Sequence, residues 1–279
     1  MNLIDRYAVF GLPIKHSKSP RIHQLFAEQT GQTLEYSSAE VAPEQFAAAA
    51  EMFFSHGGKG LNCTVPLKEL AWRYADHTTE RAQLSKAVNT LALQADGTTL
   101  GDNTDGIGLV TDLISNHSIA LSGIRILIMG AGGASRGIIA PILEQSPQTL
   151  VVANRTVDKA VKLADEFHNK GAITGCGFDD LGNRQFDLIL NATSASLSGC
   201  LPPLPSGVLA ENGSCYDLAY GNEPTAFVRW GLENHAAKSL DGLGMLVEQA
   251  AEAFFIWRGV RPLTQPVIEL LNSERQARS

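Results

Sequence analysis

Several polar residues that could bind a ligand or transfer protons stand at the ends of short apolar segments in the first third of the chain. Ser17 and Ser19 lie in "HSKSPRIH", directly before a predicted helix, where their hydroxyls could hold a carboxylate or cap the helix. Thr64 lies near the end of the apolar segment "GLNCTV", and Lys68 follows it in the first turn of a helix that Pro66 begins. A cation there opposes the helix dipole. Unfavourable placements of this kind are often found at functional sites. An ordinary exposed lysine on the surface is an equally good interpretation of Lys68.

Two amides and one carboxylate extend this group. Asn89 interrupts the apolar segment "AVNTLAL", so it needs hydrogen-bond partners if it is buried. Asp105 in "GDNTDGIG" could transfer a proton or simply cap the helix that begins at Gly106, and Gln249 either serves a site or marks the polar boundary of the helix "LVEQAAEAF". In combination, the hydroxyls and amides predict a polyhydroxylated, acidic ligand, with Lys68 and Asp105 moving protons.

A second functional segment, "IMGAGGASRG" at residues 128 to 137, follows an apolar strand and opens a predicted helix. Gly130 and Gly132 supply two glycines of a dinucleotide-binding loop, which let the backbone approach a pyrophosphate at the helix N-terminus. Ser135 takes the place of the third glycine and is still small enough for close packing of helix and strand. The alternative is a tight strand-to-helix turn of the kind that any α/β protein can contain.

The end of the next strand, "LVVANRT", indicates which dinucleotide is bound. An NAD site has an Asp or Glu there for the ribose 2′-hydroxyl. This chain has Asn154, Arg155 and Thr156, with Lys159 one turn later. A guanidinium can bind a 2′-phosphate through two hydrogen bonds, and the missing acid removes a repulsion that would exclude NADP. The pattern therefore predicts NADP, unless Arg155 and Lys159 only form a solvated helix start.

The composition argues against several classes of protein. The 279 residues are 44% hydrophobic and carry a net charge of -7, with a pI near 5.5, which is unsuited to a broad nucleic-acid surface. No apolar run approaches the roughly 20 residues of a membrane span, and no secretory leader is expected. The four cysteines form no CxxC pair, and the histidines form no HExxH. We therefore expect a cytoplasmic monomer or homodimer that binds a small molecule, with no metal, nucleic-acid or membrane partner.

Apolar segments alternate with helical patterns along the whole chain, which predicts an α/β fold. Strands that are apolar throughout, such as "RILIMG", "TLVVAN" and "FDLILNA", indicate parallel sheets covered by helices. Two α/β units are predicted, the first ending near Asp105 and the second beginning near Gly106.

Jointly, these motifs resemble those of a known family, the shikimate dehydrogenases. Over nearly the whole chain, the family's order and spacings are matched by "HSKSPRIH", "NCTVPLK", "AVNTL", "DNTDGIG", "GAGGASRG", "NRT", "NATS" and "DGLGMLVEQAA". The resemblance implies NADPH-dependent reduction of 3-dehydroshikimate to shikimate, in aromatic amino-acid (chorismate) biosynthesis. It also implies a Rossmann-type doubly wound parallel sheet, residues 106–240, inserted in a discontinuous catalytic domain formed by residues 1–105 and 241–279.

The resemblance assigns roles by position. It implies that Lys68 and Asp105 are the catalytic pair. The implied substrate ligands are Ser17, Ser19, Thr64, Asn89, Asp105, Tyr220 and Gln249. The implied cofactor ligands are Gly130, Ala131, Gly132, Gly133, Ala134, Asn154, Arg155, Thr156, Lys159, Thr193, Gly242 and Met245, the last beside the nicotinamide. Asn222 stands where many members have Pro, which leaves the shape of the loop after Tyr220 open.

Two other functions are compatible with parts of the sequence. A quinate/shikimate dehydrogenase that uses NAD would favour an acid in the segment where Arg155 stands. A non-catalytic dinucleotide-sensing protein could keep the glycine loop while losing Lys68 and Asp105, both of which are present.

Overall fold

A computed structural model describes residues 4–193, 195 and 199–277 of the chain. The chain divides into two compact units, Met1–Gly108 with Val247–Glu269, and Leu109–Leu246 with Leu270–Ser279. The divisions fall a few residues later than the predicted domain boundaries, and residues 270–279 belong to the second unit rather than to the first. The roles expected of the two domains remain a proposal.

The first unit is built on a mixed sheet. Its strands are β1 (Asp5–Gly11), β2 (Leu34–Glu40), β3 (Gly58–Cys63), β4 (His77–Thr78), β5 (Thr90–Leu93) and β6 (Thr99–Asp102), in the order β2-β1-β3-β5-β6-β4. β1 is parallel to β2 and β3, whereas β5 is antiparallel to both β3 and β6. The expectation of parallel strands is therefore wrong for β5.

A short turn explains the antiparallel pairing of β5 with β6. Between β5 and β6, the N–H of Gln94 donates to the carbonyl of Thr98, and Gly97 adopts a positive φ of 88°. Such a tight connection joins antiparallel strands only, because a parallel pair needs a long crossover.

Helices complete the first unit. They are α1 (Ser19–Thr30), α2 (Phe46–Ser55), α3 (Lys68–Tyr74) and α4 (Glu80–Ser85), together with parts of α5 (Asp105–Thr111), α9 (Leu243–Arg258) and α10 (Gln265–Gln276). α1 has Pro20 in its first turn and ends at Gly31, whose left-handed φ of 64° suits glycine. It buries Ile22 and Phe26, four residues apart, which is the spacing of one helix face.

The described strands of the second unit form a parallel sheet. They are β7 (Arg125–Met129), β8 (Thr149–Ala153), β9 (Ile173–Cys176), β10 (Phe186–Asn191), β11 (Leu209–Asp217) and β12 (Lys238–Leu240), in the order β12-β11-β10-β7-β8-β9. The chain starts in the middle at β7, moves outward to β9, and returns to β10 on the other side of β7. This is the predicted Rossmann-type order, and ligands of such sheets bind where the order reverses, at the carboxyl ends of β7 and β10.

Helices α6 (Gly133–Leu143), α7 (Val157–Phe167) and α8 (Ala226–Glu233) belong to this second unit. All four residues Ile126–Met129 of β7 are fully buried, as expected of a strand covered on both faces. The second unit thus confirms that uniformly apolar segments indicate parallel strands.

One buried histidine of the first unit has a consequence for stability. His23 on α1 is 1% exposed, and its ring stacks on that of Tyr36, with centroids 4.2 Å apart. Burial lowers the pKa of His23 from 6.5 to about 3. The folded protein therefore keeps this ring neutral over a pH range in which the unfolded chain would protonate it.

Acid should weaken the fold through His23. The unfolded chain binds a proton between pH 6.5 and about 3 that the folded chain does not, so the free energy of unfolding falls as the pH falls. This contribution is about 2 kcal/mol between pH 6.5 and about pH 5. His23→Phe should remove it, as measured by urea unfolding across that range. The exposed His56→Phe control should keep the wild-type slope. An unchanged slope in His23→Phe would show that His23 titrates normally.

Candidate functional site

Lys68 and Asp105, the predicted catalytic pair, form a direct ion pair in the first unit. Nζ of Lys68 donates to Oδ2 of Asp105 over 2.6 Å, and both side chains keep some exposure, 28% and 11%. The second carboxylate oxygen, Oδ1, accepts from the side-chain amide of Asn89 at 2.9 Å. Asp105 is the first residue of α5, and its carboxylate contacts the side chains of both Lys68 and Asn89.

Asn89 is the centre of the hydrogen bonds at this site. It lies directly before β5 and is 3% exposed. Its Nδ2 also approaches Oγ1 of Thr104 at 2.9 Å and Oε1 of Gln249 at 3.1 Å, while its Oδ1 accepts from the N–H of Thr104. The expectation that a buried Asn89 needs partners is met by residues from β6, α5 and α9 or the loops beside them.

Strand direction explains why these residues meet. β1 and β3 are parallel, and the loop with Ser17 and Ser19 follows β1 while Thr64 and Lys68 follow β3. β5 runs the opposite way, so its start, with Asn89, lies at the edge where the other strands end. The predicted substrate residues of the first unit consequently share one edge of the sheet.

The two serines differ in their local roles. Oγ of Ser17 accepts from the N–H of Ser19 at 3.3 Å, at the start of α1. Ser19 is already the first helical residue and Lys18 occupies the cap position. The capping alternative is therefore wrong for Ser19, and Ser17 lies one residue before the cap position.

Supporting residues around Asp105 were not predicted from the sequence. Oδ1 of Asn103 accepts from the N–H of Asp105, and Nδ2 of Asn103 donates to Oγ of Ser85. Asp102 receives two hydrogen bonds from Arg81, at 2.7 and 2.6 Å. The polar segment "GDNTD", at the end of a strand, could have predicted these contacts. Several consecutive polar residues that are buried need a network of hydrogen bonds among their side chains.

The predicted glycine loop lines an open groove in the second unit. The groove encloses about 680 Å³ and is lined by the loop Gly130–Ala134 and by Asn154, Arg155 and Thr193, among others. It lies where the carboxyl ends of β7 and β10 meet, the position at which ligands bind in such sheets. The loop residues predicted to bind a dinucleotide are thus brought together.

The backbone at this loop needs glycine. Gly130 has a φ of +102°, and an added Cβ would approach the carbonyl oxygen of Ala192 to 3.2 Å. Ser135 is fully buried, and its Oγ donates to the carbonyl of Gly130 at 2.7 Å. Serine in the third position is therefore compatible with close packing, and its hydroxyl also closes the turn.

The residues expected to bind a 2′-phosphate lie around the end of β8. Asn154 and the exposed Arg155 line the groove, and Nδ2 of Asn154 donates to the carbonyl of Thr156. Thr156 caps α7 by position, and the exposed Lys159 lies in the first turn of α7. This end of the groove presents an exposed cation and an amide to any ligand bound there.

The remaining predicted residues lie near the ends of β10, β11 and β12. Oγ1 of Thr193 donates to Oδ1 of Asn191 at 2.7 Å. Tyr220 follows β11, and burial raises the pKa of its hydroxyl, with a further contribution from Asp241. Gly242 and Met245 belong to the turn that begins α9 in the second unit.

Three further properties bear on ligands and partners. Among the residues that the structure describes, no group of three or more His, Cys, Asp and Glu side chains is arranged to hold a metal ion. Within the same residues, no helix is long and apolar enough to cross a membrane. Cys63, Cys176 and Cys215 are buried free thiols, whereas Cys200 is exposed at the groove.

Comparison with known proteins decides the family. Three family models match successive parts of the chain: a shikimate dehydrogenase substrate-binding domain over residues 9–91, a shikimate/quinate 5-dehydrogenase over 112–198, and a shikimate 5′-dehydrogenase C-terminal domain over 242–271. The shikimate dehydrogenase (NADP(+)) of Methylococcus capsulatus (strain Bath) is 62% identical over 272 residues, 98% of each chain. The chain belongs to the shikimate dehydrogenase family.

Other members of the family agree over similar lengths. The shikimate dehydrogenase (NADP(+)) of Nitrosococcus oceani is 55% identical and covers 97% of this chain and 96% of the relative. The crystal structure of shikimate 5-dehydrogenase from Thermus thermophilus, in complex with NADP(H) and shikimate, is 31% identical, with a TM-score of 0.84 over 95% of this chain and 98% of that one. The resemblance inferred from the motifs is confirmed.

Proposed function

We propose that the chain catalyses the reversible, NADPH-dependent reduction of 3-dehydroshikimate to shikimate, a step of aromatic amino-acid biosynthesis. The names of the relatives that match over nearly the full length support this reaction. The observation that carries it is the 2.6 Å contact between Lys68 and Asp105, beside the amides of Asn89 and Gln249. A ketone reduction needs this combination: a proton donor at the carbonyl oxygen, and polar groups that fix the ring.

Lys68 is the proposed acid–base group. Its ammonium stabilises the negative charge that develops on the carbonyl oxygen and donates the proton that makes the new hydroxyl. In the reverse direction the neutral amine accepts that proton. Asp105 holds Nζ of Lys68 in place through the ion pair and accepts from a ring hydroxyl of the substrate.

The remaining polar residues bind the substrate in this proposal. Ser17 and Ser19 hold its carboxylate, and both stand at the N-terminus of α1, which favours an anion. Tyr220 is a further proposed substrate residue. The ring hydroxyls bind to hydroxyl and amide groups, which are Thr64, Asn89 and Gln249. Because Asn89 and Gln249 already contact each other, the substrate meets groups whose positions are set.

The groove of the second unit fits the coenzyme. NADPH, when bound, supplies the hydride that reduces the ketone carbon. Gly130–Ala134 expose backbone N–H groups at the start of α6 for the pyrophosphate, and the guanidinium of Arg155 binds the 2′-phosphate with help from Asn154, Thr156 and Lys159. Thr193, Gly242 and Met245 stand at the ends of the strands that form the nicotinamide half of such a fold.

We place the enzyme in the cytoplasm as a monomer or homodimer. The buried free thiols of Cys63, Cys176 and Cys215 suit a reducing compartment.

The reaction itself can be tested with the purified chain. Shikimate with NADP⁺ should produce NADPH absorbance at a rate well above that of quinate or of NAD⁺, because Arg155 favours the extra phosphate. Preference for quinate and NAD⁺ would favour the quinate-type dehydrogenase. Binding of NADP⁺ without turnover of either acid would favour a sensing protein.

Replacement of the proton donor should slow the chemical step. Lys68→Ala should lower kcat by about 10²–10⁴-fold with little change in KM for shikimate, since acid–base groups act mainly in the transition state. The exposed Lys59→Ala is the matched control and should leave kcat unchanged. A Lys68→Ala enzyme with near-normal kcat would remove Lys68 from this role.

Coenzyme preference should depend on Arg155. Arg155→Asp should raise KM for NADPH by at least about tenfold, the cost of a lost charge-assisted hydrogen bond, and should affect NADH much less. Lys162→Asp makes the same change of charge at an exposed position on α7. It should change KM for NADPH and KM for NADH only slightly. Equal effects of Arg155→Asp on both coenzymes would refute the assignment.

A further inference from the structure

A fully buried carboxyl group in the second unit lies outside the sites described above. Asp112 is 0% exposed and opens a π-helical turn, Asp112–Asn116, that continues α5. Its Oδ1 accepts from Nδ2 of Asn116 at 2.8 Å, and His117 Nε2 stands 3.6 Å from the same oxygen. A buried carboxyl group is costly unless it is well bonded, so its partners indicate what it does. π-helical turns inside α-helices also occur frequently at functional sites.

Tyr216 links Asp112 to α9. The hydroxyl of this fully buried β11 residue donates to Oδ2 of Asp112 at 2.7 Å and accepts from the backbone N–H of Met245 at 3.2 Å. Burial raises the pKa of Tyr216 well above its usual range, and Asp112 raises it further. The hydroxyl therefore keeps its proton for Asp112 and offers its lone pairs to Met245.

The turn that begins α9 is fitted closely to these groups. A Cβ on Gly244 would lie 2.0 Å from Oδ1 of Asp112, so only glycine fits against the carboxyl group. A Cβ on Gly242 would lie 2.3 Å from the carbonyl oxygen of Leu218, just after β11. The N–H of Gly242 donates to the carbonyl of Ala219. Gly242 to Met245 are thus held from two sides.

This turn stands at the carboxyl ends of β11 and β12, in the half of the sheet that takes the nicotinamide portion of a dinucleotide. We propose that Asp112 and Tyr216 are positioning residues that hold the first turn of α9 where the nicotinamide half of the coenzyme binds. The inference rests on the proposed function. It predicts an effect confined to one half of the coenzyme, because the adenosine half binds to the ends of β7 and β8.

The test compares two probes that share the adenosine half. NADPH carries both halves, whereas adenosine 2′,5′-bisphosphate carries only the adenosine half with its 2′-phosphate. Tyr216→Phe should raise Kd for NADPH by about five- to tenfold, the effect of a lost buried hydrogen bond, and leave Kd for adenosine 2′,5′-bisphosphate unchanged. Isothermal titration calorimetry measures both constants. The partly buried Tyr74→Phe in the first unit is the matched control and should change neither.

A second variant, Asp112→Asn, tests the same proposal if the Tyr216→Phe protein does not fold. Asp112→Asn keeps one side-chain oxygen that can accept from Tyr216 but loses the other acceptor. It should therefore also raise Kd for NADPH, by a smaller factor than Tyr216→Phe. The double variant should bind NADPH no more weakly than the single variant with the higher Kd, because both substitutions act on the same turn. Unchanged NADPH binding in both variants, or equal weakening of both probes, overturns the proposal. If the wild-type chain binds neither probe, the proposed function fails instead.

Discussion

The reversed direction of β5 is the constraint on which the site of the first unit depends. β1, β3 and β6 end at one edge of the sheet, and β5 begins there. A parallel β5 would put Asn89 at the opposite edge, roughly 13 Å away for a strand of this length. Asn89 would then contact neither Asp105 nor Gln249. The short turn between β5 and β6 therefore places the amide that holds the carboxylate of the ion pair.

In the second unit, the candidate site is formed mainly by local backbone conformation. The turn after β7 depends on the positive φ of Gly130 and on the hydroxyl of Ser135, five residues later in sequence. Its partners across the groove come from the end of β10, which the strand order places beside β7. A short segment of sequence thus determines the loop, and the topology supplies the second wall.

This contrast explains what could be predicted from the sequence. The glycine loop, the parallel strands around it and the cation after β8 are local patterns, and each was predicted from a few consecutive residues. Short strands such as β4 and β12 carry too few residues to show a period, and the antiparallel pairing of β5 with β6 depends on a turn that the apolar pattern does not encode. The contact of Asp112 with Tyr216 joins residues 104 positions apart, so no segment shows it. The full list of substrate and cofactor residues came from the family resemblance.

Buried carboxyl groups recur behind the loops of both units, and their partners explain why the loops are held in one arrangement. Asp102 is bonded by Arg81 and Thr79, and Asp217 by Asn191 and Thr225. Such a group adds little stability compared with an apolar side chain of similar volume, but it becomes costly when any partner is lost. A loop that shifted would break several of these bonds together. The polar side chains at the sheet edges are therefore positioned before a ligand arrives, and binding need not supply the free energy to order them.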